Sequence, residues 1–256
     1  MNVLENSNKP SGISSVYLVG QILSVLMQSA RPLSLSEISK ICDQPVARLY
    51  PYLFELHKAG MVARNPLTLD YTLGSLCMRL GLKVLGKDKH AQALRSKLPH
   101  YASTYGVNLF LTVLGPSGPV VIANYEYAKT LNTALSAGSN LSFFTTATGT
   151  VLWSFLGHVK QQEFLQQETI RNESSVYFSN PLNINQKNLF SDIVETGYSF
   201  FKQTPMPQID SLAFPFFNEQ GEIFAAVTVT MQSGEINESQ TVQWLNVLKG
   251  EMSHEY

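Results

Sequence analysis

The sequence predicts an α+β fold in two parts: helices closed by a short hairpin in the first third, then an antiparallel sheet flanked by helices. Three observations carry this. Residues 34–73 read as two short helices at a tight turn followed by two strand-like runs. Residues 107–127 and 198–231 hold runs rich in Val, Ile, Thr and aromatic residues, broken by Gly, Pro and Asn turn signals. Helical spacing recurs between and beside those runs. Elements with one apolar face must bury it against another, and helices against an antiparallel sheet are one of the few solutions.

In the first part, Ser14 or Ser15 can cap a helix running to about residue 28, with Val16, Val19, Ile22, Leu23 and Leu26 as its buried stripe. Arg31 and Pro32 end it. Ser34 and Glu37 fit a capping box, in which the hydroxyl accepts from the N3 amide while the carboxylate accepts from the N-cap amide. Leu35, Ile38, Ile41 and Cys42 mark the inner face of that second helix. Asp43 and Gln44 make a turn, and Pro45 suits the first position of a third helix, where no N–H is needed. There Val46, Leu49, Leu53 and Leu56 point inward, leaving Ala47, Arg48, Pro51, Glu55 and Lys58 outward, and Gly60 ends the helix. Residues 61–64 and 68–73 form a hairpin around Asn65 and Pro66. This succession is the winged form of a helix–turn–helix, whose second helix enters the major groove of a duplex while the first crosses its backbone. A plain small helical bundle shares the pattern.

Composition narrows the class. The 256 residues suffice for two ordinary domains, and 44% apolar content with 14% charged residues describes a globular chain with a sizeable core. No apolar run reaches the ~18 residues that span a bilayer. The first twelve residues are polar and lack a signal core, so a cytoplasmic protein with a frayed tail over 1–13 is expected. The only cysteines, Cys42 and Cys77, sit among apolar neighbours and read as free thiols. The net charge of −1 hides an asymmetry: residues 1–90 hold ten Lys/Arg against six Asp/Glu, and residues 91–256 hold eight against thirteen. A basic first third suits a phosphate-facing surface, although a solvated charged face would give a similar count.

Residues 75–86 continue as a helix with Leu76, Leu80 and Val84 apolar, and the charged run Lys87, Asp88, Lys89 marks a junction. Leu94, Leu98, Tyr101 and Ala102 then mark a helix ending near Gly106. Two strands follow around the turn at residues 115–118, and residues 130–137 read as a third. A loop leads to a helix whose first turn lies near residues 145–149, with further helices expected over 160–167 and 186–196. Three strands close the sheet, at 198–204, 210–217 and 222–231. A last helix over 238–251 turns Val242, Leu245 and Leu248 inward.

In this order the segments LSLSEIS, LFELHKAGMV, YTLGSLCMRLG, AGSNLSFFTTATGTVL, ETGY and SLAFPFFNEQGEIFAAVTVT resemble the IclR family of transcriptional regulators over residues 14–249. Each segment is weak alone; their shared order is specific. The resemblance implies a winged helix–turn–helix DNA-binding domain over 14–74, a linker helix over 75–89 and a GAF-like effector-binding domain over 90–252. It also implies double-stranded DNA and a small-molecule effector as partners, and a homodimer or homotetramer as the assembly. No cofactor and no metal are expected. Where the family usually carries an arginine in the recognition helix this chain has Pro51, which leaves a helix either kinked or starting late. Arg48 is then the one guanidinium on the outward face, suited to a bidentate contact with guanine. Gln44, Ala47 and Tyr50 could add base or backbone contacts, and Lys40, Lys58 and Arg64 phosphate contacts.

In the resembled family the effector lies between the loop at residues 145–149 and the last strands. The resemblance puts a ligand carboxylate at the amides of Ala147 and Thr148, beside Thr146, as a helix N-terminus favours. Ser211, Thr228 and Thr230 stand where the family places small polar groups. Phe201 replaces a frequent acid and Phe144 a frequent histidine, which makes the pocket more apolar. A small organic acid with an apolar or aromatic body is the ligand expected. The five histidines are scattered, and no nucleophile elbow or phosphate-cradling loop is present, so catalysis is not expected. Two alternatives stay open: a sensor of the same fold with DNA reading weakened by Pro51, and, more remotely, a hydrolase whose site is assembled from distant residues.

Overall fold

The computed structural model describes residues 14–86, 89–116, 118–127, 135–171, 184–203 and 207–235, and parts of 237–250. The chain divides into two compact units, residues 1–87 and 88–256.

In the first unit α1 (Ser14–Gln28), α2 (Leu35–Ile41) and α3 (Val46–Lys58) enclose one core with the hairpin β1 (Val62–Arg64) and β2 (Tyr71–Leu73). Leu18, Ile22, Leu26, Ile38, Leu49, Leu53 and Leu56 meet there with Val62 and Tyr71. Val16, Ile41 and Val46, expected inside, are 66%, 58% and 44% exposed. The true stripe of α1 is Leu18, Ile22 and Leu26, an i,i+4 row that puts Val16 on the opposite side. The capping box of α2 forms as the sequence demands: Ser34 Oγ accepts from the Glu37 amide and Glu37 Oε2 from the Ser34 amide. Arg31 Nη2 ion-pairs with the same carboxylate at 2.5 Å.

Pro45 is the N-cap of α3 rather than its first helical residue; its ψ of 140° keeps it extended. Gly60, at φ +73°, ends α3: its amide donates to the His57 carbonyl, and the Met61 amide to Leu56. The hairpin turns on Asn65, whose Oδ1 accepts from the amides of Leu67 and Thr68. Then α4 (Ser75–Leu85) starts against the end of α3, the Leu76 amide donating to the Gly60 carbonyl and the Gly74 amide to Met61. Gly74 is required there, since a Cβ would lie 2.2 Å from the Gly60 oxygen.

The second unit is a five-stranded antiparallel sheet in the order β4-β3-β7-β6-β5. Its strands are β3 (Asn108–Gly115), β4 (Gly118–Tyr125), β5 (Ser199–Phe201), β6 (Ile209–Phe217) and β7 (Ile223–Gln232). One face receives α5 (Lys89–Tyr105), which buries Leu94, Leu98, Tyr101 and Ala102 and accepts at the Arg95 carbonyl a bond from Tyr125 Oη. The other receives α6 (Ala147–Ser154), seven of whose residues are buried between the sheet and α7 (His158–Arg171) and α8 (Ile184–Thr196). The strand expected over 130–137 lies mostly outside the described residues, and positions 135–137 are loop and turn. Of the last helix's inward positions Leu248 is buried, while Val242 and Leu245 lie outside the described residues.

Candidate DNA-reading surface and effector site

On the first unit the solvent face of α3 presents Ala47, Arg48, Tyr50, Pro51 and Lys58. Pro51 is the sixth residue of a helix that runs unbroken to Lys58, so the helix does not start late. Having no N–H, it cannot bond the Ala47 carbonyl, a loss of about 3 kcal/mol in a helix interior. Arg48 Nη1 donates to Gln44 Oε1 at 2.7 Å, joining the turn to the helix. That uses one of five guanidinium donors. Lys58 pairs with Glu55 at 3.2 Å and lies 5.6 Å from the centre of the Phe54 ring. Arg64 is folded over the Tyr71 ring at 5.3 Å, its Nε donating to the Leu69 carbonyl. Lys40 is exposed in the last turn of α2. Phe54, 51% exposed, lies beside this surface; its helical spacing from Ala47 and Pro51 was the available sign of that place in the sequence.

On the second unit the loop before α6 is built on two hydroxyls. Ser142 Oγ accepts from the amides of Phe144 and Thr145. Thr146 is the N-cap of α6: its Oγ1 donates to the Ser142 carbonyl at 2.8 Å and accepts from the Gly149 amide at 3.0 Å. Gly149 is obligatory, since a Cβ would fall 1.9 Å from the Ser142 oxygen. Because the Thr150 amide bonds the Thr146 carbonyl, the first-turn amides outside this capping are those of Ala147 and Thr148. An N-terminus of this kind carries a partial positive charge.

Facing α6 is a sheet surface with an unusual number of small polar residues. Register sets Asn108 of β3 and Ser211 of β6 on either side of Thr230, and Phe110 and Ala213 on either side of Thr228. Thr148 and Thr228 join α6 to the sheet through a 2.7 Å hydroxyl pair, and Thr150 meets Ser199 at 2.8 Å. Thr230 Oγ1 is buried without a partner, and so is Thr112 Oγ1. Buried polar atoms are nearly always satisfied, so each such orphan calls for a cause.

Phe144 is buried edge-on to Trp153 at 5.0 Å, and Phe201, opposite Ser211 in register, packs against the same aromatic cluster. Thus Thr148 and Thr228 touch, and Thr230, Ser211 and Phe201 share one row. Thr146, by contrast, has its hydroxyl engaged in capping. Asn108, Thr112, Thr150 and Ser199 were missed in the sequence; for Asn108 and Thr112, polar residues at alternate positions of an apolar run were the available sign. Among the described residues no cluster of His, Cys, Asp or Glu could hold a metal, and no helix is long and apolar enough to cross a membrane.

A winged helix–turn–helix followed by a sheet with a polar, helix-capped face defines a class: DNA-binding regulators with a separate sensing domain. The chain matches the family model for the IclR helix–turn–helix domain over residues 19–66. It matches that for the bacterial transcriptional regulator IclR C-terminal domain over residues 85–252. It therefore belongs to the IclR family and is a DNA-binding transcriptional regulator with a C-terminal effector domain, not an enzyme. It is 22% identical over 240 residues to the HTH-type transcriptional regulator XynR of Escherichia coli, covering 93% of each chain. Its fold is that of Pseudomonas aeruginosa HmgR, with a TM-score of 0.67 at 22% identity, covering 94% of this chain and 98% of that one. It is equally that of an IclR homolog from Microbacterium hydrocarbonoxydans crystallised with 4-hydroxybenzoate, with a TM-score of 0.70 at 17% identity over 93% and 97% of the two chains.

Proposed function

We propose that this regulator works in the cytoplasm as a homodimer or homotetramer and responds to a small organic acid with an apolar or aromatic body. The carboxylate docks at the amides of Ala147 and Thr148, with Ser211, Thr228 and Thr230 below it and Phe201 and Phe144 on the apolar side. The observation that carries this is Thr230 Oγ1, a buried hydroxyl with no partner on the sheet face that α6 covers. A ligand oxygen would satisfy it. The 4-hydroxybenzoate bound by the Microbacterium homolog belongs to the same chemical class.

Thermal-shift titration with benzoate, 4-hydroxybenzoate and short aliphatic acids tests the reading. At a hundred times Kd a ligand adds about 2.7 kcal/mol to stability. Stabilisation by neutral polar metabolites but by none of the acids would refute it.

DNA is read by α3, with Arg48 directed to a base and Lys40, Lys58 and Arg64 to phosphates; Gln44, Ala47, Tyr50 and Pro51 complete the surface. A gel-shift titration on the gene's own upstream DNA, at stated salt, checks this. Arg48→Ala should cost about 1 to 3 kcal/mol if the contact is specific. Wild-type protein that binds the acids but no DNA would favour the sensor reading, in which Pro51 has damaged the recognition helix.

A further inference from the structure

Building on the reading of α3 as the helix offered to a duplex, we propose that its first two turns recognise thymine through the C5 methyl group, so that T·A pairs specify the half-site more than guanine does. Residues at the N-terminal end of a recognition helix are those that reach base edges. In α3 these are Val46, Ala47, Arg48, Tyr50 and Pro51, all exposed. Val46 and Tyr50 are one i,i+4 pair and Ala47 and Pro51 another, so two aliphatic side chains, a proline ring and a tyrosine ring form one patch along two turns.

From Val46 to Lys58 the helix has no Ser, Thr, Asn or Gln. Asn and Gln are the side chains that pair with adenine's Hoogsteen edge, and Ser and Thr those that adapt to either partner. Its one guanidinium, Arg48, gives one of five donors to Gln44, so the first two turns hold a single side chain suited to guanine. An apolar patch pressed on a major-groove edge strips water from whatever lies there. Guanine, cytosine and adenine offer only donors and acceptors, which would be left unpaired, whereas thymine offers a methyl group. Lys40, Arg48, Lys58 and Arg64 of the same motif are cations suited to phosphates, matched in number by Glu37, Asp43, Glu55 and Asp70, so the duplex as occupant rests on the reading of α3.

The test uses the full-length protein and duplexes enriched from a random-sequence pool by binding to it. Each enriched half-site is remade with deoxyuridine for thymidine, which deletes the methyl and keeps every hydrogen-bonding group. Affinity is expected to fall about fourfold for each contacted methyl removed, with the salt dependence unchanged because phosphate contacts set it. Val46→Ser should narrow the gap between the thymidine and deoxyuridine duplexes and leave the salt slope alone. Equal binding of the two duplexes by the unsubstituted protein overturns methyl readout while DNA binding stands. A pool that yields no enriched sequence overturns the reading of α3 itself, and this proposal with it.

Discussion

Thr228 and Thr230 lie two residues apart on one face of β7, both fully buried, and differ in whether the hydroxyl has a partner. Their valine variants should therefore behave oppositely. Thr228→Val strands the Thr148 hydroxyl and is expected to cost about 1 to 3 kcal/mol in the unliganded protein, measured by urea unfolding. Thr230→Val removes a group that bonds nothing, so stability should hold or rise while stabilisation by organic acids shrinks. Equal loss of stability in both would contradict the orphan assignment. The family resemblance singled out both residues, but which hydroxyl is bonded depends on a residue 80 positions away. At Glu37 the capping box was legible locally, while the Arg31 ion pair was not. The Arg31 guanidinium, then the Ser34 amide and hydroxyl, hold its carboxyl at about 2, well below its ordinary 4.5. A carboxyl lowered on folding stabilises fully above about 4.5, and that contribution is lost as pH falls through about 2. Glu37→Gln should give a flatter stability profile than the wild-type protein between those pH values; identical profiles would show that ionisation of Glu37 contributes nothing there.

At the scale of elements, α3 carries a conflict between local propensity and fold. Proline at its sixth position removes a backbone bond, yet the buried row Leu49, Leu53 and Leu56 holds the helix through it. Each such side chain contributes about 1.5 to 3 kcal/mol on burial, enough together to outweigh the proline. Pro51→Ala is therefore expected to raise the unfolding free energy, by up to about 3 kcal/mol, because the ring is exposed and its loss opens no cavity. An unchanged or lower melting temperature would mean that the Ala47 carbonyl is already satisfied elsewhere. The order of elements and the caps of α2 and α3's end were legible in sequence because their signals lie within a few residues. Inward and outward positions were less so: Val16, Ile41 and Val46 fit a helical period by hydrophobicity, but three-residue and four-residue steps do not define one row uniquely. Only the packed neighbours choose.

At the scale of the molecule, α4 presents a largely exposed apolar surface among the described residues. It has no buried residue within the described structure, and Met78, Leu80, Leu82 and Val84 are each more than half exposed. In the proposed two-fold dimer on paired half-sites, an isologous contact through this helix would bury that surface in a second copy. Leu80→Glu with Val84→Glu is expected to shift the protein toward monomer in sedimentation velocity and to weaken binding to paired half-sites more than to a single one. An unaltered sedimentation coefficient would place the interface elsewhere. The sequence by itself determined the succession of helices and strands, the caps, the outward placing of Arg48 and Pro51, and through the order of its segments the family, because all of these are written in short-range spacing. The tertiary structure alone decided that Thr148 meets Thr228 and that Asn108 and Ser211 flank an unpartnered Thr230. Those facts depend on strand register and on which side of a helix is covered, and chain segments far apart in sequence set both.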